Sequence, residues 1–419
     1  MSAKKGAVGL GAATVLALTA GCGMLGIGGG EEEKSDEDRL VQMLNDSNRI
    51  DAELMAAESR IVQNCLEEQG FTVHEPWTMM PYEEPEQDGL TSYYPHEDFI
   101  LDADEAAEWG FGQWANGPDS ADDPAAEDYY AAQEEKYAED EESMDWEEPD
   151  TTEWDALAPE DQYGWYVAYQ GEEWAEMNYG SAQDYADMMS GEGEFAEEEM
   201  TEEEVVEEEG EIVVEDDEEY VEPKPGGCQY EMITALYGEP ELVEETEEYD
   251  GETSTYTYWS YRPENPAYQD EGMWEDIEAA YAESMSDVQY EFIDCLTARG
   301  YEGWEFTQYN SMPIWEFFSA LYYQDSDEEE REMMMGDSDV EVPPIPEAAG
   351  DSYEEWKAFE IQMAVDFSEC AEETDYAAAS EKAYDKVHVD AYAAIEEDVY
   401  AWQEDMNDAI SKAQELLDA

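Results

Sequence analysis

The chain has 419 residues, 117 acidic and 15 basic, for a formal net charge of −102. That charge repels DNA, RNA and anionic lipid headgroups, which excludes nucleic-acid binding and any electrostatic grip on a membrane. With 42% hydrophobic and 13% aromatic residues the chain can still bury a core, unlike a disordered acidic tail.

Residues 1–21 have the layout of an export signal. Lys4 and Lys5 form a positive head, residues 6–18 are apolar and uncharged, and Thr19-Ala20-Gly21 places small residues before Cys22. The apolar run is shorter than the roughly 20 residues that span a bilayer. Leu18-Thr19-Ala20-Gly21-Cys22 resembles the lipobox of bacterial lipoproteins. That resemblance implies a diacylglyceryl group on Cys22 and attachment to the outer face of the cell membrane. At about 0.8 kcal/mol per buried methylene, two or more acyl chains hold a protein stably. Residues 22–48 then read as the lipidated cysteine and a flexible, acidic tether.

A first helical unit is expected over residues 49–245, with disordered acidic insertions. Its first helix, over 50–69, carries Leu54, Ala57, Ile61 and Cys65 on one face and stops at Gly70. Residues 118–150 and 194–222 read as mobile and acidic, separated by a short helix over 159–169. Gly226-Gly227-Cys228 opens a helix that Gly238 closes, and 246–269 reads as a linker whose tyrosine–threonine alternation also suits a short strand.

The second unit, 270–419, starts with a helix over 274–299 whose stripe runs from Trp274 through Tyr281, Val288 and Phe292 to Cys295. Pro313 begins a helix to 321. After an acidic linker come a helix over 353–373, with Trp356, Phe359, Met363, Phe367 and Cys370 on one face, and a long helix over 376–417. The last two are expected to pack as an antiparallel pair. The fold class is therefore mainly α: two disulfide-stapled helical units, acidic linkers and a long C-terminal helix.

With Cys22 assigned to lipid, Cys65, Cys228, Cys295 and Cys370 form an even set suited to an oxidising compartment. Four cysteines allow three connectivities. Cys65-Leu66-x-x-x-Gly70-Phe71 and Cys295-Leu296-x-x-x-Gly300-Tyr301 share one pattern, read as a weak internal repeat. Pairing each repeated cysteine with the next one downstream gives Cys65–Cys228 and Cys295–Cys370.

These motifs resemble, taken together, uncharacterised surface lipoproteins of actinobacteria. The resemblance rests on the lipobox, the repeated helix ending, the Gly226-Gly227-Cys228-Gln229-Tyr230-Glu231 segment and the Ala364-Val365-Asp366 run before Cys370. It implies a helical, disulfide-linked exported domain and no catalytic residue.

No chemistry is declared beyond that. There is no H-E-x-x-H, G-x-S-x-G or C-x-x-C, the three histidines (His74, His96, His388) are scattered, and no metal set, cofactor or catalytic residue is assigned. The aromatic clusters at 109–114, 163–174 and 256–261 read as core packing, with a sugar- or peptide-facing surface as the competing reading. The expected role is a non-enzymatic envelope protein that binds a cell-wall component or another envelope protein. The alternative is a cell-wall-modifying hydrolase whose two carboxylates are hidden among the 117.

Overall fold

The computed structural model describes residues 35–80, 86–143, 148–190, 222–249, 252–268, 271–324, 326, 340 and 342–419. The export signal, Cys22 and residues 194–221 of the expected acidic stretch lie outside them. Within the described residues the chain is mainly helical.

Helix α1 (Asp36–Glu68) begins well before the expected residue 50. Asp36, Glu37 and Asp38 occupy its first turn, where acidic groups complement the helix dipole. Leu40, Met43, Leu44 and Ser47 then continue the buried stripe toward Leu54 and Leu66, so half of the expected tether is helix. Arg39 fastens this early part by an ion pair to Glu396.

The end of α1 is a Schellman closure. Phe71 N–H donates to Leu66 C=O (3.0 Å) and Gly70 N–H to Glu67 C=O (3.0 Å), with Gly70 at φ +102°. The same closure recurs in the long helix of the second half. There Tyr301 N–H donates to Leu296 C=O (3.0 Å), Gly300 N–H to Thr297 C=O (3.1 Å), and Gly300 again has φ +102°. The repeated sequence pattern is thus a repeated local structure, set by the one residue that takes this φ freely.

Between 86 and 190 lie short helices: α2 (Ala103–Trp109), α3 (Pro124–Ser143), α4 (Thr152–Asp155), α5 (Pro159–Gln170), α6 (Glu172–Tyr179) and α7 (Ala182–Ser190). Helix α3 corrects the expectation of disorder over 118–150. Its first turn is held by Asp123, whose carboxylate accepts from Ala125 N–H (2.9 Å) and pairs with Lys357 (2.6 Å). Ala126 is buried and Tyr129 packs on Trp109 and Trp114.

Helix α8 (Gly227–Leu236) precedes a hairpin, β1 (Glu241–Tyr249) and β2 (Glu252–Ser260), paired antiparallel from Glu241↔Ser260 to Tyr249↔Glu252. Much of the stretch that reads as a linker is therefore strand, in keeping with its alternation. Next come α9 (Glu271–Arg299), α10 (Ile314–Tyr322), α11 (Tyr353–Thr374) and α12 (Tyr376–Leu417).

The last two helices do not pack as the expected antiparallel pair. They meet beside their junction at Asp375, a left-handed residue (φ 54°, ψ 36°). Helix α12 instead lies against α9 and α1. Tyr281 of α9 faces Ser380 and Tyr384, and Trp274 faces His388, so these helices run antiparallel. Arg39 faces Glu396 and Ser47 faces Gln403, so α1 and α12 run parallel. Elements from both sides of 246–269 thereby share one scaffold, and Asp36–Ala419 forms one compact unit.

The largest core gathers Phe99, Trp114, Tyr281, Phe292, Phe317, Phe318, Phe367 and Tyr376, all at or near zero exposure. A second core surrounds Trp165, Cys228, Ile233 and Leu66. Both expected disulfides are present, Cys65–Cys228 with Cα atoms 5.7 Å apart and Cys295–Cys370 at 5.8 Å. Each carries a glutamate three residues beyond its second cysteine, Glu231 near Cys65 Sγ and Glu373 near Cys295 Sγ.

Candidate functional site: a polar cavity beside the first disulfide

The site is built where α5 and α8 cross. Gly226 N–H donates to Gln170 C=O (2.8 Å), and a Cβ on Gly227 (φ +52°) would lie 2.2 Å from the Ala168 carbonyl oxygen. Only glycine permits this approach, which brings Cys228 down to Cys65 at the end of α1. The same crossing leaves a cavity of about 440 Å³ between α1, α8 and the segment after residue 77. Met55, Met79, Met80 and Met232 give it soft apolar walls, and Tyr169 and Tyr261 add two rings.

Two buried acceptors stand in its wall, beside the exposed Arg60 and the side chains of Ser59, Gln63 and Thr78. Glu58 lines the cavity at 9% exposure and accepts a hydrogen bond from the Tyr237 hydroxyl. Arg262, just beyond β2, lies 3.9 Å from Glu58 and 3.0 Å from Asp51. Burial raises the Glu58 carboxyl above the ordinary range, while Tyr237 and Arg262 pull it back. Tyr169 is pushed up to about 12 by burial and so keeps its proton. Gln229 Oε1, also at the cavity, is buried and accepts no hydrogen bond among the described residues. An amphipathic molecule with a donor group fits this arrangement: its apolar body meets methionine, and its N–H groups meet Glu58 and Gln229.

A second buried carboxylate, Glu360 on α11, does different work. It accepts from Gln113 N–H (2.8 Å), Trp114 N–H (3.0 Å) and the Tyr322 hydroxyl (2.6 Å) at zero exposure. It fastens the aromatic–glycine turn at 109–114, whose Trp114 is fully buried beneath Lys357, 3.3 Å from the ring centre. Burial pushes the Glu360 carboxyl up to about 8 against these donors. This aromatic cluster is therefore core. The cluster at 163–174 is mostly core as well, but Tyr169 reaches the cavity, as does Tyr261 just beyond the third cluster's strand.

The histidines are not brought together. Trp165 Nε1–H donates to His74 Nδ1 (3.3 Å), His96 meets Ser380 Oγ (3.0 Å), and His388 Nδ1 meets the Tyr384 carbonyl (2.9 Å). Burial holds all three below the usual imidazole range. Among the described residues no cluster of three or more His, Cys, Asp or Glu is placed to hold a metal, and no helix is long and apolar enough to cross a membrane.

Sequence reasoning passed over Glu58, Gln229 and Arg262. A signal was present: Glu58 and Glu360 each stand four residues after a stripe residue, Leu54 and Trp356, on a buried helix face. Compared with known families, curated proteins and solved structures, the chain shows no match.

Proposed function

We propose that this chain is an exported protein held by lipid on Cys22 at the outer face of the cell membrane, where it binds an envelope component without catalysis. The two disulfides suit that oxidising address, and the likeness to actinobacterial surface lipoproteins points the same way. The observation that carries the binding role is the cavity beside Cys65–Cys228. It sets the buried acceptors Glu58 and Gln229 between methionine and tyrosine walls. The hydrolase reading has one group in its favour, the raised Glu58. Its neighbour Asp51 is engaged by Arg262, however, so the two carboxylates share one cation instead of both facing an open cleft.

Titration of the full chain with soluble muropeptides, whose amines and amides supply donors, tests this reading. Saturable binding is expected with no change in muropeptide mass. Gln229→Leu is expected to weaken binding by about tenfold, the loss of one well-made buried hydrogen bond. Muropeptide cleavage that disappears in Glu58→Gln would replace the binding role with the hydrolytic one.

A further inference from the structure

Among the described residues the hairpin is the one sheet, and it is left unfinished. β1 and β2 pair only with each other, and no third strand joins them among the described residues. Two strands alone are marginal in water. At its base the hairpin is tied down, since Trp259 Nε1–H donates to Glu222 C=O (2.9 Å) and Lys224 lies over the Trp259 ring. Farther from the base it is exposed, with Tyr256 at 38%.

Its two strands differ in kind. β1 holds five glutamates in nine residues, the charge that ordinarily blunts an edge. β2 after Glu252 is Thr-Ser-Thr-Tyr-Thr-Tyr-Trp-Ser, eight residues with no charge and no proline. With 117 acids in 419 residues, a stretch of eight would ordinarily carry two. The uncharged stretch is rich in strand formers and lies at an edge, where it is a template for strand addition.

We propose that the outer edge of β2 docks an extended, basic segment of a partner protein, which adds to the hairpin as a third strand. Charge selects the partner. Strands lie about 4.8 Å apart, so lysine or arginine side chains on the added strand can reach across β2 toward Glu241, Glu244 and Glu245 of β1. An added strand stands two spacings, about 10 Å, from β1, a gap that a lysine and a glutamate side chain span together. Tyr256, directly opposite Glu245, already donates its hydroxyl to that carboxylate at 3.0 Å. A second copy of this chain, at −102, is repelled. The proposal does not depend on the cavity or its ligand.

The test uses the full chain and a synthetic ten-residue peptide alternating lysine with valine or threonine. Saturable binding is expected, with slowed amide hydrogen exchange at alternate residues of β2. A peptide of the same sequence and charge, N-methylated at alternate residues, is expected to bind at least about tenfold more weakly, because it cannot complete the ladder. Equal affinity for the two peptides, or protection falling outside β2, would overturn strand addition and leave only charge attraction.

Discussion

Replacing Cys295 and Cys370 together by alanine is expected to lower unfolding free energy by about 4 kcal/mol, the chain-entropy value for the 75-residue separation of this bond. Against a typical total of roughly 5–15 kcal/mol that is a large share. The physical setting makes the bond important. Helices α9 and α11 also meet through Phe292 and Phe367 and through Arg299, which holds Asp366, Glu369 and Glu373. With so few cations in the chain, little else offsets repulsion between the acidic faces of these helices. Denaturant unfolding of the double variant beside the intact protein checks this. A loss below about 1 kcal/mol would mean that the aromatic contacts suffice and the bond is dispensable.

The second large effect is expected at Glu360. The folded state keeps this proton up to about pH 8, whereas the unfolded carboxyl releases it near its ordinary value of 4.5. Between those two pH values the folded protein binds the extra proton, so its stability falls as pH rises and levels off above about 8. The histidines act in the opposite sense, because their lowered values cost stability as pH falls below 6.5. The window from pH 7 to 8 lies above the ordinary histidine value of 6.5, and comparison with Glu360→Gln separates Glu360 from Glu58, whose raised carboxyl acts in the same sense. Thermal unfolding of wild type is expected to lose midpoint across that window, and Glu360→Gln to show a flatter profile. Glu360→Ala is expected to cost several kcal/mol at any pH, at about 1–3 kcal/mol for each buried donor left unpaired. A wild-type profile as flat as that of Glu360→Gln would contradict the assignment.

Much of the helical framework was legible because its stripes are long and regular. The positions of α9, α11 and α12 follow from three- and four-residue spacing, and the two disulfides from a helix ending used twice. The start of α1 was obscured because Asp36, Glu37 and Asp38 look like solvated tether when read apart from the Leu40–Met43–Leu44 stripe behind them. Helix α3 was obscured by its acids, although Ala126 and Tyr129 supply its contact face. What α12 packs against was not legible at all. Its face of Tyr384, His388 and Tyr392 suits any aromatic helix, and the turn at Asp375 decides that α9 receives it. The cavity is assembled from α1, α8, Tyr169, Tyr261 and the segment after residue 77, so no local pattern announces it. Only the acids on buried stripes, Glu58 and Glu360, stood out in principle from the remaining 115.

Mass analysis of the amino-terminal peptide of the native membrane-extracted protein decides whether lipid on Cys22 is the anchor. The expected result is a mature chain that begins at Cys22 and carries a diacylglyceryl group on its sulfur. A mature chain with an unmodified Cys22, or one that begins elsewhere, would contradict it.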